Sequence, residues 1–89
     1  MRSRTTPRFR ERLSVLPEEI RQHARRAYRK FKQDPWHPSL RFQQVHPSLP
    51  YYSVRITKGY RAVGKRDEEG MLWFWVGAHS DYDKLLSRL

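Results

Sequence analysis

The stretch YSVRITKGYRAVGKRDEEGMLWFWV, residues 52–76, decides the fold. In its first part apolar and polar side chains alternate, which is the period of a half-buried strand, and its last part is almost wholly apolar. Two short runs that contain glycine and charged residues interrupt it, as tight turns do. The stretch therefore predicts three antiparallel strands, at residues 52–57, 60–65 and 71–76, with turns at 58–59 and 66–70.

The flanking residues predict one further strand and three helices. A strand at residues 40–45 precedes two prolines, and residues 80–88 form a closing helix. Thr5-Thr6-Pro7 starts a first short helix, and Pro17 starts a second, which ends at Asp34-Pro35. The predicted fold class is α+β, with an N-terminal helical pair packed on an antiparallel sheet of about four strands and a short C-terminal helix. We expect one domain over residues 1–89.

Alternation along the strands predicts which side chains share a face of the sheet. One face packs on the helices and the other stays open, so that cations and aromatic rings lie together on the open face. The open face is expected to carry Arg55, Arg61, Lys65, Trp73 and Trp75. The core is expected to take Leu72, Phe74 and Val76 from the last strand.

Charge is the dominant feature of the composition. The 89 residues include 19 Lys and Arg but nine Asp and Glu, a formal net charge of +10. Such a charge opposes compaction, so we expect a polyanionic partner: nucleic acid, an acidic protein or a membrane surface. The basic face of the second helix lacks the second recognition helix of a helix-turn-helix motif.

The composition also bears on the compartment. The chain has no cysteine, which excludes disulfides and thiolate metal sites. No segment approaches the roughly 18 consecutive apolar residues of a membrane span. The arginine-rich N-terminus lacks the apolar region of a secretory signal. We expect a cytoplasmic protein.

Cations, aromatic planes and a titratable group at the end of a strand suit RNA. RNA cleavage can use the ribose 2′-hydroxyl as internal nucleophile, and the protein must then supply a proton acceptor, a proton donor and positive charge. His79 is the best candidate for proton transfer, because imidazole titrates near neutral pH. Tyr82 lies three residues on, where it can stack a base or position a phosphate, and Arg61 can stabilise the developing phosphate charge. The structural alternatives are a capping histidine, a tyrosine lid on the core and an arginine paired with an acid.

A second group of residues fits phosphate or base contacts, namely Arg55, Lys58, Lys65, His46 and Trp75. Lys58 is also a solvated turn residue by position. Among the other histidines, His37 in the Pro-bounded loop is expected to anchor that loop by a hydrogen bond, and His23 to be solvated. The segment His79-Ser80-Asp81-Tyr82-Asp83 lacks the spacing of a known metal site, so no metal and no cofactor are expected.

From Thr5 to Leu86 the chain resembles toxins of the RelE/ParE superfamily of bacterial type II toxin–antitoxin systems. The order of elements carries the resemblance together with five segments: Leu16-Pro17, residues 34–40 (DPWHPSL), 52–56 (YSVRI), 59–63 (GYRAV) and 75–79 (WVGAH).

The resemblance implies a fold like that of microbial ribonucleases and an antitoxin that wraps the sheet and helices. RelE-like toxins cleave mRNA, commonly in the ribosomal decoding site, without a metal. By position, Arg61 matches the phosphate-stabilising arginine of the family, Arg55 a basic position on the preceding strand, and His79 a position held by arginine or histidine. Tyr82 lies near the C-terminal tyrosine of the family. Ser53 replaces the lysine of the best-known nuclease.

Three functions stay open on the sequence. The first is an mRNA endoribonuclease, which His79 and Tyr82 favour. The second is a ParE-like, non-enzymatic toxin that inhibits DNA gyrase. The third is an inactive relative whose partner is its antitoxin alone.

Overall fold

The computed structural model describes all 89 residues. Five strands form one sheet in the order β1-β5-β4-β3-β2, in which β1 runs parallel to β5 and the other neighbours are antiparallel. The predicted α+β class and the meander of three strands are confirmed. The elements are β1 (Ser3–Thr5), α1 (Pro7–Ser14), α2 (Glu18–Gln33), β2 (Gln43–Gln44), β3 (Tyr51–Thr57), β4 (Tyr60–Asp67), β5 (Gly70–Ala78) and α3 (His79–Leu86).

The two N-terminal helices begin and end at the predicted signals. The Thr6 side chain caps α1 by accepting the backbone N–H of Phe9 at 3.1 Å, and Pro7 fills the first helical position, where no N–H is needed. Pro17 precedes α2, whose first turn carries two glutamates, as the helix dipole favours. Asp34 ends α2 directly before a proline.

These helices cover one face of the sheet and form the helix-side core. Phe31 of α2 is its centre, with its ring edge-on to Phe42 at 4.9 Å and to Trp73 at 5.2 Å. The buried members of this core are Phe9, Phe31, Leu40, Phe42, Val54, Ala62, Met71, Trp73 and Val76.

A β-bulge in β5 changes which aromatic residues enter this core. Val63 pairs with Trp75 and Gly64 pairs with Trp73, so Phe74 has no partner on β4. The extra residue shifts the alternation: Trp73 is 2% exposed in the helix-side core, where the sequence placed it on the open face. Phe74, expected in that core, instead packs half-buried on the opposite face. Leu72 precedes Trp73 and by alternation shares the face of Phe74, whereas Val76 lies in the core as predicted.

The sequence did not predict β1. Ser3 pairs with Met71 of β5, and its hydroxyl accepts the indole N–H of Trp73 at 2.8 Å. Arg4 forms ion pairs with Asp67 at 2.9 Å and Glu69 at 3.3 Å, which tie the strand to the β4–β5 turn. The three residues of β1 have no apolar pattern, so the edge of β5 and these ion pairs explain why they form a strand.

Only two residues of the strand predicted at residues 40–45 form a strand. Pro38–Leu40 form a 3₁₀ turn, and the His37 imidazole accepts the backbone N–H of Ser39 at 3.2 Å, which confirms the predicted loop anchor. Arg41 then has a left-handed backbone (φ 47°), and only Gln43–Gln44 pair with β3. From Val54 onward the outer edge of β3 has no neighbouring strand.

The second face of the sheet, expected to be open, is partly covered by α3. Tyr82 of α3 packs there with Val63 and Trp75, and Leu85 and Leu86 extend the contact. Because α3 packs on this face, the cationic residues lie at its two ends, with Arg55 and Arg61 at one end and Lys65 at the other. None of the helices is both long and apolar enough to cross a membrane.

Candidate functional site

Three arginines form a line across one end of the sheet, on the side of α3. Arg55 of β3 lies directly opposite Arg61 of β4. Arg41 precedes β2 by two residues, and the β2–β3 register, extended that far, brings it beside Arg55. We call Arg41, Arg55 and Arg61 the arginine row. Arg41 was not among the residues predicted for the site, although its neighbours Leu40 and Phe42 both lie in the helix-side core and so direct it away from that core.

The positive charge of the arginine row is not neutralised. The four ion pairs of the fold involve Arg4, Arg21 and His79 but no member of the row, so Arg61 is not paired with an acid, which was the structural alternative for it. Burial, followed by repulsion from Arg55, lowers the pKa of Arg61 below its ordinary value. A row of unpaired cations attracts anions.

The Arg61 guanidinium is held by the β3–β4 turn. One terminal nitrogen donates to the carbonyl oxygens of Thr57 at 2.6 Å and Tyr60 at 3.0 Å. The other guanidinium nitrogens donate to no protein acceptor. The group is thus fixed in place while two donors stay free, which is the geometry that binds two oxygens of one phosphate.

His79 starts α3 beside the same turn. Its backbone N–H donates to the carbonyl oxygen of Gly59 at 2.8 Å. Its Nδ1 lies 3.4 Å from a carboxylate oxygen of Asp83, and 49% of the side chain is exposed. With Nδ1 turned to Asp83, Nε2 faces outward without a protein partner, so the ring can exchange a proton with a bound molecule.

Tyr82 is a buried lid and not a stacking platform. Its ring is 8% exposed and meets the His79 ring edge-on at 5.7 Å. Its hydroxyl donates to Oγ of Ser53, itself 2% exposed, at 3.2 Å. Base stacking on Tyr82 is therefore excluded by burial, and the residue instead fixes α3, with His79, over β3.

Trp75 is also inaccessible. It is 8% exposed, because Tyr82 packs on one side of the indole (ring centroids 6.3 Å apart) and the Arg12 guanidinium lies 5.0 Å from its centroid. Arg12 reaches it from α1 while donating to the carbonyl oxygen of Val76 at 2.9 Å. The expectation that Trp75 contacts RNA on an open face is wrong for this reason.

The remaining predicted contacts do not join the arginine row. Lys58 is exposed in the β3–β4 turn, near Arg61 but without a contact that orients it. Lys65 lies four residues from Arg61 on β4, about 13 Å away. His46 accepts the backbone N–H groups of Ser48 and Leu49 at 3.1 and 2.9 Å, and its ring packs against Tyr51, the partner of Lys65. Lys65 and His46 thus belong to the far end of this face.

No group of three or more His, Asp or Glu side chains comes together in a way that could hold a metal ion. Asp83 is the one acidic residue that contacts His79 in the fold, and a lone His–Asp contact orients the ring.

Comparison with known proteins defines the class of this chain. Residues 18–84 match the family model of the ParE-like toxin domain. No protein with a curated description matches the sequence significantly. The chain belongs to the ParE-like toxin family, and the resemblance to RelE/ParE toxins of toxin–antitoxin systems is confirmed.

Solved structures show the same fold at low sequence identity. The RelB–RelE antitoxin–toxin complex of Methanococcus jannaschii has a chain that superimposes with a TM-score of 0.73 at 17% identity, covering 91% of this chain and 96% of that one. YafQ of E. coli strain BL21(DE3) gives 0.72 at 7% identity with the same coverage. The YoeB dimer of Staphylococcus aureus gives 0.69 at 14% identity, covering 89% and 97%.

Proposed function

We propose that this protein is the toxin of a bacterial type II toxin–antitoxin system and that it inhibits translation by cleaving mRNA. One observation carries the proposal: an arginine row without acidic partners lies beside a half-exposed histidine that the backbone fixes to the same turn. The row supplies charge for a phosphodiester and the histidine supplies proton transfer. Bacterial mRNA is translated in the cytoplasm, so the proposal includes a cytoplasmic site of action.

The proposed reaction needs no nucleophile from the protein. His79 Nε2 accepts the proton of the ribose 2′-hydroxyl, and the 2′-oxygen attacks the adjacent phosphorus. The bond from phosphorus to the 5′-oxygen breaks, and the imidazolium returns the proton to that oxygen directly or through water. The products are a 2′,3′-cyclic phosphate and a 5′-hydroxyl. Arg61 and Arg55 hold the non-bridging oxygens, on which negative charge grows.

Two further contacts position this machinery. The Asp83 carboxylate orients the imidazole through Nδ1, and the Tyr82–Ser53 hydrogen bond fixes the helix that carries it. In this reading Tyr82 is a positioning residue. Ser53, which stands where the best-known nuclease has lysine, is buried under Tyr82 and contributes no proton transfer.

The proposed partner is an antitoxin, as in the structurally similar complexes of RelE with RelB and of YafQ with DinJ. A groove between α1 and α2 fits such a protein. Its floor is apolar and aromatic, with Phe9, Leu13 and Tyr28, and arginines such as Arg10 and Arg25 border it. An amphipathic helix with acidic flanks complements this groove, as helix-in-groove recognition requires.

The test is induced expression in bacteria, followed by mapping of transcript ends. Wild type should arrest growth and create new 5′-hydroxyl ends within coding regions. His79→Gln and Arg61→Ala should abolish both effects while the purified variants keep their cooperative unfolding. Arg8→Ala, which removes an exposed charge on α1, is the matched control and should remain toxic. Growth arrest by wild type without new RNA ends would contradict the nuclease.

The name of the family model favours one alternative, a ParE-like toxin that inhibits gyrase. That function predicts double-strand DNA breaks and a DNA-damage response on induction, with intact transcripts and with little effect of His79→Gln. An inactive relative would bind its antitoxin and cause no arrest. The same induction experiment separates all three outcomes.

A further inference from the structure

A cleft between α2 and the outer edge of β3 adjoins the arginine row. Its volume is about 450 Å³, within the range of about 300–1,000 Å³ typical of clefts for small ligands. We call it the α2–β3 cleft. It is lined by His23, Arg26, Ala27, Lys30, Ser39, Leu40, Arg55, Ile56 and Thr57.

The cleft is cationic and contains no carboxylate. Arg26, Lys30 and Arg55 supply three permanent charges, and none of them takes part in an ion pair of the fold. Lys30 Nζ donates to Ser39 Oγ at 3.2 Å, and Arg26 lies 3.4 Å from His23 Nδ1. Neutral partners therefore orient these cations without cancelling their charge. Repulsion among them opposes folding, which an anionic ligand would relieve.

Arg55 belongs to both the cleft and the arginine row. On one side it faces Arg61 across the β3–β4 ladder, and on the other it lines the cleft together with Arg26 and Lys30. No strand pairs with the edge of β3 at this point, and Arg41 of the arginine row lies beside the same edge. A chain whose phosphate lies at Arg61 can pass over this edge with its next phosphates in the cleft.

We propose that the α2–β3 cleft is a second phosphate-binding site, which holds the single-stranded RNA flanking the scissile phosphate. The inference rests on the proposed function, since it extends the same RNA chain beyond the arginine row. RNA fits better than an acidic protein because the accessible apolar lining of the cleft is limited to Ala27 and Ile56, while Leu40 is buried. The aromatic floor that a protein helix needs lies on the other side of α2, in the α1–α2 groove.

The sequence of α2 provides a matched pair of variants. Arg26→Ala/Lys30→Ala removes two charges from the cleft, and Arg25→Ala/Arg29→Ala removes two charges from the other side of the same helix, where they line the α1–α2 groove. Both variants have the same net charge and the same gain in helix propensity. A difference between them therefore reports position and not total charge.

The experiment is fluorescence anisotropy with full-length protein and labelled 2′-O-methyl oligonucleotides, which cannot be cleaved. With about nine nucleotides, Arg26→Ala/Lys30→Ala should weaken binding about tenfold. It should also reduce the slope of log K against log salt by about 1.4, which is two single-strand phosphate contacts. Arg25→Ala/Arg29→Ala should keep the wild-type slope. With about three nucleotides, which reach only the arginine row, both variants should bind alike.

Three results would overturn the inference: equal weakening by both variants, no weakening by either, or no binding of any oligonucleotide by wild type. A further arm uses a labelled polyglutamate peptide. If Arg26→Ala/Lys30→Ala weakens only the peptide, the cleft belongs to an acidic protein partner and the inference fails. Cleavage of an all-RNA oligonucleotide by wild type is measured separately and tests the proposed function. Tight binding that depends on the cleft, without cleavage, would support the cleft as an RNA-binding site and reject the proposed nuclease activity.

Discussion

Replacing Arg55 by glutamine should stabilise the protein while weakening its function. Arg55 lies opposite Arg61, where side chains on paired strands are about 5 Å apart at Cβ, and neither arginine has an acidic partner. Repulsion between the two charges contributes to the lowered pKa of Arg61. Glutamine keeps most of the side-chain length and its polarity, so the substitution isolates the charge.

The size of the effect follows from Coulomb's law. Two unit charges about 6 Å apart repel by roughly 0.7 kcal/mol in water, less with salt and more where burial lowers the local dielectric. We expect Arg55→Gln to raise the free energy of unfolding by about 0.5–1 kcal/mol. For a domain of this length that corresponds to a rise in Tm of about 2–8 °C.

The assay is urea denaturation at low and at high salt. With an m value of about 1.5 kcal/mol/M, the midpoint should rise by about 0.3–0.7 M urea at low ionic strength, and the gain should shrink above roughly 0.5 M NaCl. Arg8→Gln removes an exposed charge from α1 and controls for the net charge of +10. Binding of the nine-nucleotide probe should fall for Arg55→Gln alone. Equal stability of the two variants at low salt, or a destabilised Arg55→Gln, would refute the reasoning.

Three further predictions concern stability. Gly64→Ala should cost about 1–3 kcal/mol by urea denaturation, because its new Cβ would lie 2.8 Å from a backbone carbonyl oxygen of β5; an unchanged midpoint would contradict that packing. Tyr82→Phe should cost about 1–2 kcal/mol, because it leaves the buried Ser53 hydroxyl without its donor, and the double variant with Ser53→Ala should recover part of the loss. Hydrogen bonds from the backbone at Glu69, and the Arg4 side chain, lower the pKa of Asp67. The stabilisation from a lowered pKa is fully present above the unfolded value of about 4, so Asp67→Asn should be less stable than wild type at pH 7. This difference should vanish as the pH falls through the folded pKa, and a gap in Tm that persisted in strong acid would rule out this linkage.

Local chemistry in the sequence predicted most of the fold. Thr6-Pro7 and Asp34-Pro35 set the helix ends, and the period of two in residues 52–57 set a central strand, because caps, prolines and alternation act over a few residues. By contrast, β1 has no such pattern. It exists because β5 has a free edge and because acidic residues of the β4–β5 turn pair with Arg4, and neither fact can be read from three polar residues.

The sequence predicted which residues form the candidate site better than it predicted how they are arranged. Arg55 and Arg61 lie opposite each other on paired strands, and His79 lies where the last strand ends, as predicted. The roles of these residues stay predictions. The bulge at Phe74 is a tertiary feature that a single-sequence period does not reveal, and it moved Trp73 into the helix-side core. The sequence also did not predict how closely α3 packs on the sheet. Because of this packing, Trp75 and Tyr82, which were expected to contact a ligand, are core residues.

The parallel pairing of Ser3–Thr5 with Met71–Trp73 bears on how the protein is made. Ribosomes synthesise the first strand at the start and its partner near the end, so the sheet cannot close while most of the chain is still being translated. His79, which docks onto the β3–β4 turn, follows that partner strand. The arginine row and His79 therefore come together only when almost the whole chain of this ParE-like toxin has been synthesised.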